Sequence, residues 1–361
     1  AALGEAARVL TEADGAVALR ALAVVGGLPT LERCVDVGAL MRDAPAPSDP
    51  QVSAAVAEQR PRLRRVSSLE RGGRMAEALA LADEVLVVAE RLGDRSLLAE
   101  SLLQRVALEI HGEATQAQDE RLTRAYLTAL GGGLDERVVE ALALRLYLRG
   151  RKEGDATRAL EDLAVARELL GRLPAPGGLR GLVLNNGGTV YLALGDIPRA
   201  ERMFREALAA REGALGPEHV DVAYTLVNLA MISGREDERI GMMERALRIF
   251  DVSLGAAHPQ TIEVRIAASL HARDPVAARA LLQPGCDALA RLTPDDTAGR
   301  VRCLGNLAHQ AGEAGDEAVM PLKRGADGKL GVAGGGGSRY CGGATIGKKK
   351  RQRPSSYGSR S

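Results

Sequence analysis

A two-helix pattern that returns about every forty residues constrains this chain more than any other feature. Its clearest copy, Gly181 to His219, reads GLVLNNGGTVYLALGDIPRAERMFREALAAREGALGPEH. Ala200, Phe204 and Ala207 recur at i, i+4 and i+7, so they share one face of the second helix. Gly187, Gly188 and Ala200 are small enough for two helices to approach closely, with Tyr191 and Phe204 filling the space between them. Gly195 ends the first helix in a left-handed conformation, Asp196 caps the second, and Pro198 fits the first turn, where its missing donor costs nothing.

The order Leu-Gly, Tyr, Gly, Ala, Phe, Ala-Leu resembles a tetratricopeptide (TPR) repeat, departing from it at Leu184 and Gly187. Propagating the turn glycine places further units near Arg60 (turn Gly73), Leu98 (Gly112) and Glu140 (Gly154). Realigning Asn186 with Asn228 and Asn306, and His219 with His258, places others near Ala223, Ile262 and Val301. In the Ile262 unit, Asp274 before Pro275 is a helix-start signal. The extra length over an ordinary TPR lies in the connectors LGPEH (Leu215–His219) and LGAAH (Leu254–His258). These resemble the longer repeats of kinesin light chains, in which Leu-Gly-Pro-x-His-Pro joins one unit to the next. A matching histidine in matching connectors reads as a cap or turn closure, because no carboxylate or cysteine recurs beside it to complete a metal site.

Composition agrees. Aromatics are only 2%, with no Trp and two Phe, so the core is built from Leu, Ala and Val, which suits stacked helices. The fold expected is all-α: a right-handed TPR superhelix, or α-α solenoid, of about six full units and a broken seventh. Residues 1–58 are expected to be linker or capping helices, interrupted by the Pro-rich stretch APAPSDP at 44–50. Residues 59–318 form the array. Residues 319–361 turn abruptly Gly-rich and basic with one acid, Asp327, while the body has more acids than bases and one lysine, Lys152. This segment is expected to be disordered, and its two readings are a natural basic tail and a reading-frame artefact, since the break falls inside a repeat.

The function classes narrow by exclusion. No apolar run approaches the roughly 18 residues of a membrane span, and no signal-peptide pattern opens the chain, which gives a cytoplasmic reading. The four cysteines, Cys34, Cys286, Cys303 and Cys341, have no ligand spacing and read as reduced structural thiols. GGATIGKK (342–349) nearly matches a phosphate-cradling loop but has Lys349 where a Ser or Thr must hold magnesium. KKKRQR (348–353) supports nothing beyond non-specific polyanion contact. Catalytic constellations are missing. No catalytic residue, cofactor, metal, specific nucleic acid or membrane partner is therefore expected, and a free-standing enzyme is disfavoured.

What remains is recognition of a protein or peptide. First helices of TPR units line the concave side, and an asparagine amide there can bond both a donor and an acceptor of an extended backbone. Asn186, Asn228 and Asn306 are the candidate column; Asn185, Thr189, Tyr224 and His309 are its groove neighbours. The alternative reading has each asparagine bonding the neighbouring repeat.

Residues 1–318 resemble the C-terminal TPR region of bacterial serine/threonine protein kinases of the kind abundant in myxobacteria. The resemblance is carried by LPTLERCVDVGAL (Leu28–Leu40), the Pro-x-Asp-Pro linker, GGRMAEALALADEVL (Gly72–Leu86) and the NNGG unit, in that order. It implies a kinase domain upstream of Ala1, intramolecular contact with that domain, and a role in recruiting substrates or regulators. The alternative is the sensor arm of a TPR-containing transcription regulator.

Overall fold

The structure is a computed structural model. It describes residues 2–13, 17, 20–26, 28, 47–110, 114–151, 155–173, 176–256, 258–272, 274–292, 303, 305–307, 322–324 and 330–332. Among the described residues, two short helices, α1 (Ala2–Thr11) and α2 (Ala21–Gly26), precede six antiparallel helix pairs. The pairs are α3 (Pro50–Arg71) with α4 (Met75–Leu92), α5 (Arg95–Ala107) with α6 (Gln116–Gly131), and α7 (Asp135–Arg151) with α8 (Ala156–Leu170). They continue with α9 (Gly177–Ala193) and α10 (Ile197–Leu215), α11 (Val220–Ile232) and α12 (Glu236–Ser253), and α13 (Pro259–Ser269) and α14 (Pro275–Leu292). Each helix packs on its partner, each second helix packs on the first helix of the next pair, and the first helices α3, α5, α7 and α9 also touch in series. The array is a right-handed helical-repeat solenoid, whose units bury their apolar stripes only against neighbours.

Local chemistry sets the helix ends. Gly73 and Gly195 take φ of +78° and +74°, a conformation that favours glycine, and so turn the chain between paired helices. The Asp196 carboxylate accepts from Arg199 N at 3.0 Å, as the sequence predicts. Asp274 caps α14 in the same way, accepting from Ala277 N at 2.8 Å. The connector histidines are both N-caps: His219 Nδ1 accepts from Asp221 N at 3.1 Å and His258 Nδ1 from Gln260 N at 3.2 Å. Burial holds the His258 imidazole neutral, pushing its pKa down to about 4 with the help of the Arg20 charge. Pro50 opens α3 instead of closing the linker, because Asp49 caps it by accepting from Gln51 N at 2.8 Å. The boundary expected at 58/59 therefore falls inside α3. The turn glycines expected at Gly112 and Gly154 lie outside the described residues.

Packing follows the small-residue stripe. Ala78, Ala82 and Ala89 on α4, Ala200 and Ala207 on α10, and Ala246 on α12 are fully buried. The two phenylalanines, Phe204 and Phe250, are the largest fully buried side chains. A Cβ at Gly188 would lie 2.6 Å from Phe204 Cε1, so this glycine is needed for α9 to seat on α10; one at Gly187 would lie 2.7 Å from Met203 Cε, the far end of a flexible side chain that can give way. At the N-terminus, Val9 of α1 joins Val66 and Leu69 of α3. Ala23 of α2 joins the cluster of Val222, Ala246 and Phe250 from the fifth pair. The N-terminal segment thus bridges the first and fifth pairs.

Two findings depart from expectation. Cys286 and Cys303 form a disulfide, with Cα atoms 5.6 Å apart, so they are not free thiols. Their spacing of 17 residues carries no sequence signal, and only the return of the chain onto α14 brings them together within an apolar cluster with Ile262, Leu282 and Leu307. In the C-terminal segment, β1 (Leu322–Arg324) pairs antiparallel with β2 (Leu330–Val332), a local exception to the disorder expected there. The phosphate-loop-like stretch, the KKKRQR run, Cys34 and Cys341 lie outside the described residues. Among the described residues, no helix is long and apolar enough to cross a membrane.

Candidate interaction surface

The sequence pairs Asn186 with Asn228 as equivalent positions; the structure instead links them through Asn185. Asn186 is 4% exposed, and its Nδ2 donates to the Ala143 carbonyl on α7 at 2.8 Å. Its Oδ1 accepts from Asn185 Nδ2 at 3.2 Å. Asn185 Oδ1 in turn accepts from Asn228 Nδ2 on α11 at 3.0 Å, and Thr225 Oγ1 lies 3.4 Å from the same oxygen. Arg211, reaching across from α10, closes the chain: its Nη1 donates to Thr225 Oγ1 at 2.6 Å and to the Asp221 carbonyl at 2.7 Å. One polar network therefore runs through the third, fourth and fifth pairs along their first helices.

The other expected groove residues divide. Thr189 is half-buried and donates to the Asn185 carbonyl at 3.3 Å, one turn back on its own helix. Tyr224 is half-buried, edge-on to Phe250 with ring centroids 5.0 Å apart. Burial, with the nearby Asp221 charge, pushes its phenol up to about 12, so it stays protonated and able to donate. Tyr224 and Asn228 stand one turn apart on the same face of α11. Asn306 sits in the short helical stretch after α14, apart from this network, and is engaged within the protein. His309 lies outside the described residues.

Sequence reasoning missed Arg211 and Thr225. Arg211 is 4% exposed, and desolvation pulls its pKa down. Other buried arginines meet carboxylates: Arg105 lies 2.6 Å from Asp83, Arg149 2.7 Å from Asp162, and Arg265 2.6 Å from Asp251. Arg211 has neutral acceptors instead, and its Nε is buried without a partner. The signal was Gly181. A Cβ there would lie 2.5 Å from Arg211 Cγ, so the glycine makes room for the arginine stem. Among the described residues, no cluster of three or more metal-ligating side chains occurs.

Residues 182–221 match the family model described as tetratricopeptide repeat, which spans α9, α10 and the start of α11. No curated protein matches the chain. Among solved structures, BtubC (BKLC) from P. vanneervenii is 20% identical with a TM-score of 0.50, over 60% of this chain and 86% of its own. A signal transduction ATPase with numerous domains (STAND) from Pyrococcus horikoshii, with a tetratricopeptide repeat sensor, is 14% identical with a TM-score of 0.52. That match covers 83% of this chain and 47% of the ATPase chain. At these identities the likeness concerns the fold alone, that of a helical-repeat solenoid.

Proposed function

We propose that the array is a protein–protein interaction scaffold that holds a peptide or partner protein against its first-helix face. The observation that carries this is the Tyr224–Asn228 pair. Asn228 spends one N–H on Asn185, and among the described residues its Oδ1 accepts no hydrogen bond. The Tyr224 hydroxyl likewise has no partner among the described residues. An acceptor and a donor one helical turn apart suit the N–H and C=O of an extended chain. Thr189 flanks them. Asn185 and Asn186, whose amides bond within the protein, act by fixing Asn228.

The scaffold serves as the regulatory or substrate-recruiting region of a serine/threonine protein kinase whose catalytic domain lies upstream. The order of the kinase-linked motifs supports this reading. The fold shared with the tetratricopeptide sensor of the STAND ATPase supports the alternative, a sensor arm of a regulator.

Two measurements test these readings. Wild type and the Tyr224→Ala/Asn228→Ala double variant are panned against a random peptide display library. Enrichment of a peptide class by the wild type alone, with both proteins melting alike, supports the groove; equal enrichment by both overturns it. The coding sequence upstream of Ala1 decides the parent: a glycine-rich loop and a His-Arg-Asp motif support the kinase, and a helix-turn-helix supports the regulator.

A further inference from the structure

The fifth and sixth pairs carry a second feature. Between the second helices α12 and α14 lies a cavity of about 540 Å³, within the size range of small-molecule sites. Met243, Leu247, Ala268 and Leu281 give it an apolar floor. Its walls are kept low by Gly241, Ala277 and Ala280. Gly241 is in a helix interior, where glycine costs about 0.5–1 kcal/mol relative to alanine. Neither a left-handed conformation nor close packing explains it, since a Cβ built there meets nothing within 4 Å. The glycine keeps space open that this chain does not fill.

Among the described residues, Arg239 is the one arginine or lysine that lines that space. It makes no side-chain hydrogen bond or ion pair among the described residues. Its Nε is buried and unpaired, leaving Nη1 and Nη2 as the open donors. Its neighbours on the same face of the array are engaged: Arg235 lies 2.7 Å from Glu238 and Arg245 2.7 Å from Glu212. A guanidinium with unmet donors beside an apolar floor is complementary to an acceptor of opposite charge carried on a hydrocarbon body. Asp237 and Glu244 also line the cavity, but both are exposed, so water screens their charge, and Asp237 is already engaged within the protein.

We propose that the cavity between α12 and α14 binds a small apolar monocarboxylate, its chain over Met243 and Leu247 and its carboxylate on Arg239. The cavity shares no lining residue with the asparagine network, and the proposal does not depend on the scaffold reading.

Decanoate is the probe, titrated into the full chain and followed by isothermal calorimetry and amide chemical shifts. Saturable binding with shifts centred on α12 and α14 is expected. Arg239→Gln weakens it about tenfold, the loss of one charge-assisted hydrogen bond. Decanol and the dicarboxylate sebacate bind more weakly than decanoate. Gly241→Leu fills the cavity and abolishes binding. Because leucine is the better helix former and has room, this variant melts no lower than wild type, which separates occlusion from misfolding. The proposal is overturned if decanoate does not bind, or if either variant binds it as wild type does.

Discussion

Asn228 on α11 donates to Asn185 on α9 across 3.0 Å, the shorter of the two hydrogen bonds that Asn185 Oδ1 accepts from the first helix of the next pair. Asn185 is 8% exposed and serves Asn186, Thr225 and Asn228 at once, so removing it strands several groups. Asn185→Ala is expected to cost about 2 kcal/mol in urea unfolding, and Asn228→Ala about 1 kcal/mol or less because water reaches its site. A double-mutant cycle should show coupling of at least about 0.5 kcal/mol. Additive losses would mean that the bond does not link the pairs energetically.

His258 gives the protein a pH-sensitive joint. Its neutral Nδ1 is the acceptor that caps α13, and its folded pKa lies near 4, below the ordinary 6.5. The unfolded chain therefore binds the proton first as pH falls. This contribution to stability is fully present above about pH 6.5 and is lost on descending toward about pH 4; it amounts to about 3 kcal/mol. His258→Asn keeps a capping acceptor without the titration. It should flatten the stability profile between these limits, and an unchanged profile would show that other groups govern it.

Two glycines in one unit should respond oppositely to alanine. Gly188→Ala drives a Cβ to within 2.6 Å of the fully buried Phe204 ring and is expected to cost about 1–3 kcal/mol. Gly213, on exposed α10 surface, has nothing within 4 Å of an added Cβ. Gly213→Ala should hold or raise stability, by about 0.5 kcal/mol. Thermal melts of the two variants compare them directly.

The Cys286–Cys303 disulfide closes a 17-residue separation against the last helix pair. On a loop-closure argument its reduction costs about 2–3 kcal/mol. In a solenoid whose units touch only neighbours, that loss is local. Dithiothreitol, or Cys303→Ser, should speed amide exchange in α13 and α14 while leaving α5 to α8 unchanged. Uniform change along the array would contradict nearest-neighbour cooperativity.

Much of the architecture is written in local rules. Gly195, Asp196 and Pro198 mark a turn and a helix start by their own conformational limits, and the connector histidines are legible as caps because they recur in the same setting. Alanine and phenylalanine at helical spacing reveal the buried stripe. Less was legible where the partner of a residue comes from a distant turn. Asn185 and Asn186 are neighbours in sequence, yet one bonds Asn228 and the other the Ala143 carbonyl. Helix rotation and the offset between pairs decide this, and neither is fixed by residue type. The same holds for Arg211, visible in sequence only as one more surface-like arginine.

The sequence by itself determined the repeat, the helix pairing and the turn and cap chemistry, because these depend on residues within one or two turns of each other. Only the tertiary structure decided which polar groups interlock, that the N-terminal helices bridge the first and fifth pairs, and that Cys286 meets Cys303. It also decided that Gly241 opens onto a cavity whereas Gly188 is closed by Phe204. Those outcomes follow from the way successive pairs stack and wind. That stacking is a sum of many small packing contacts, in which no single residue type carries the answer.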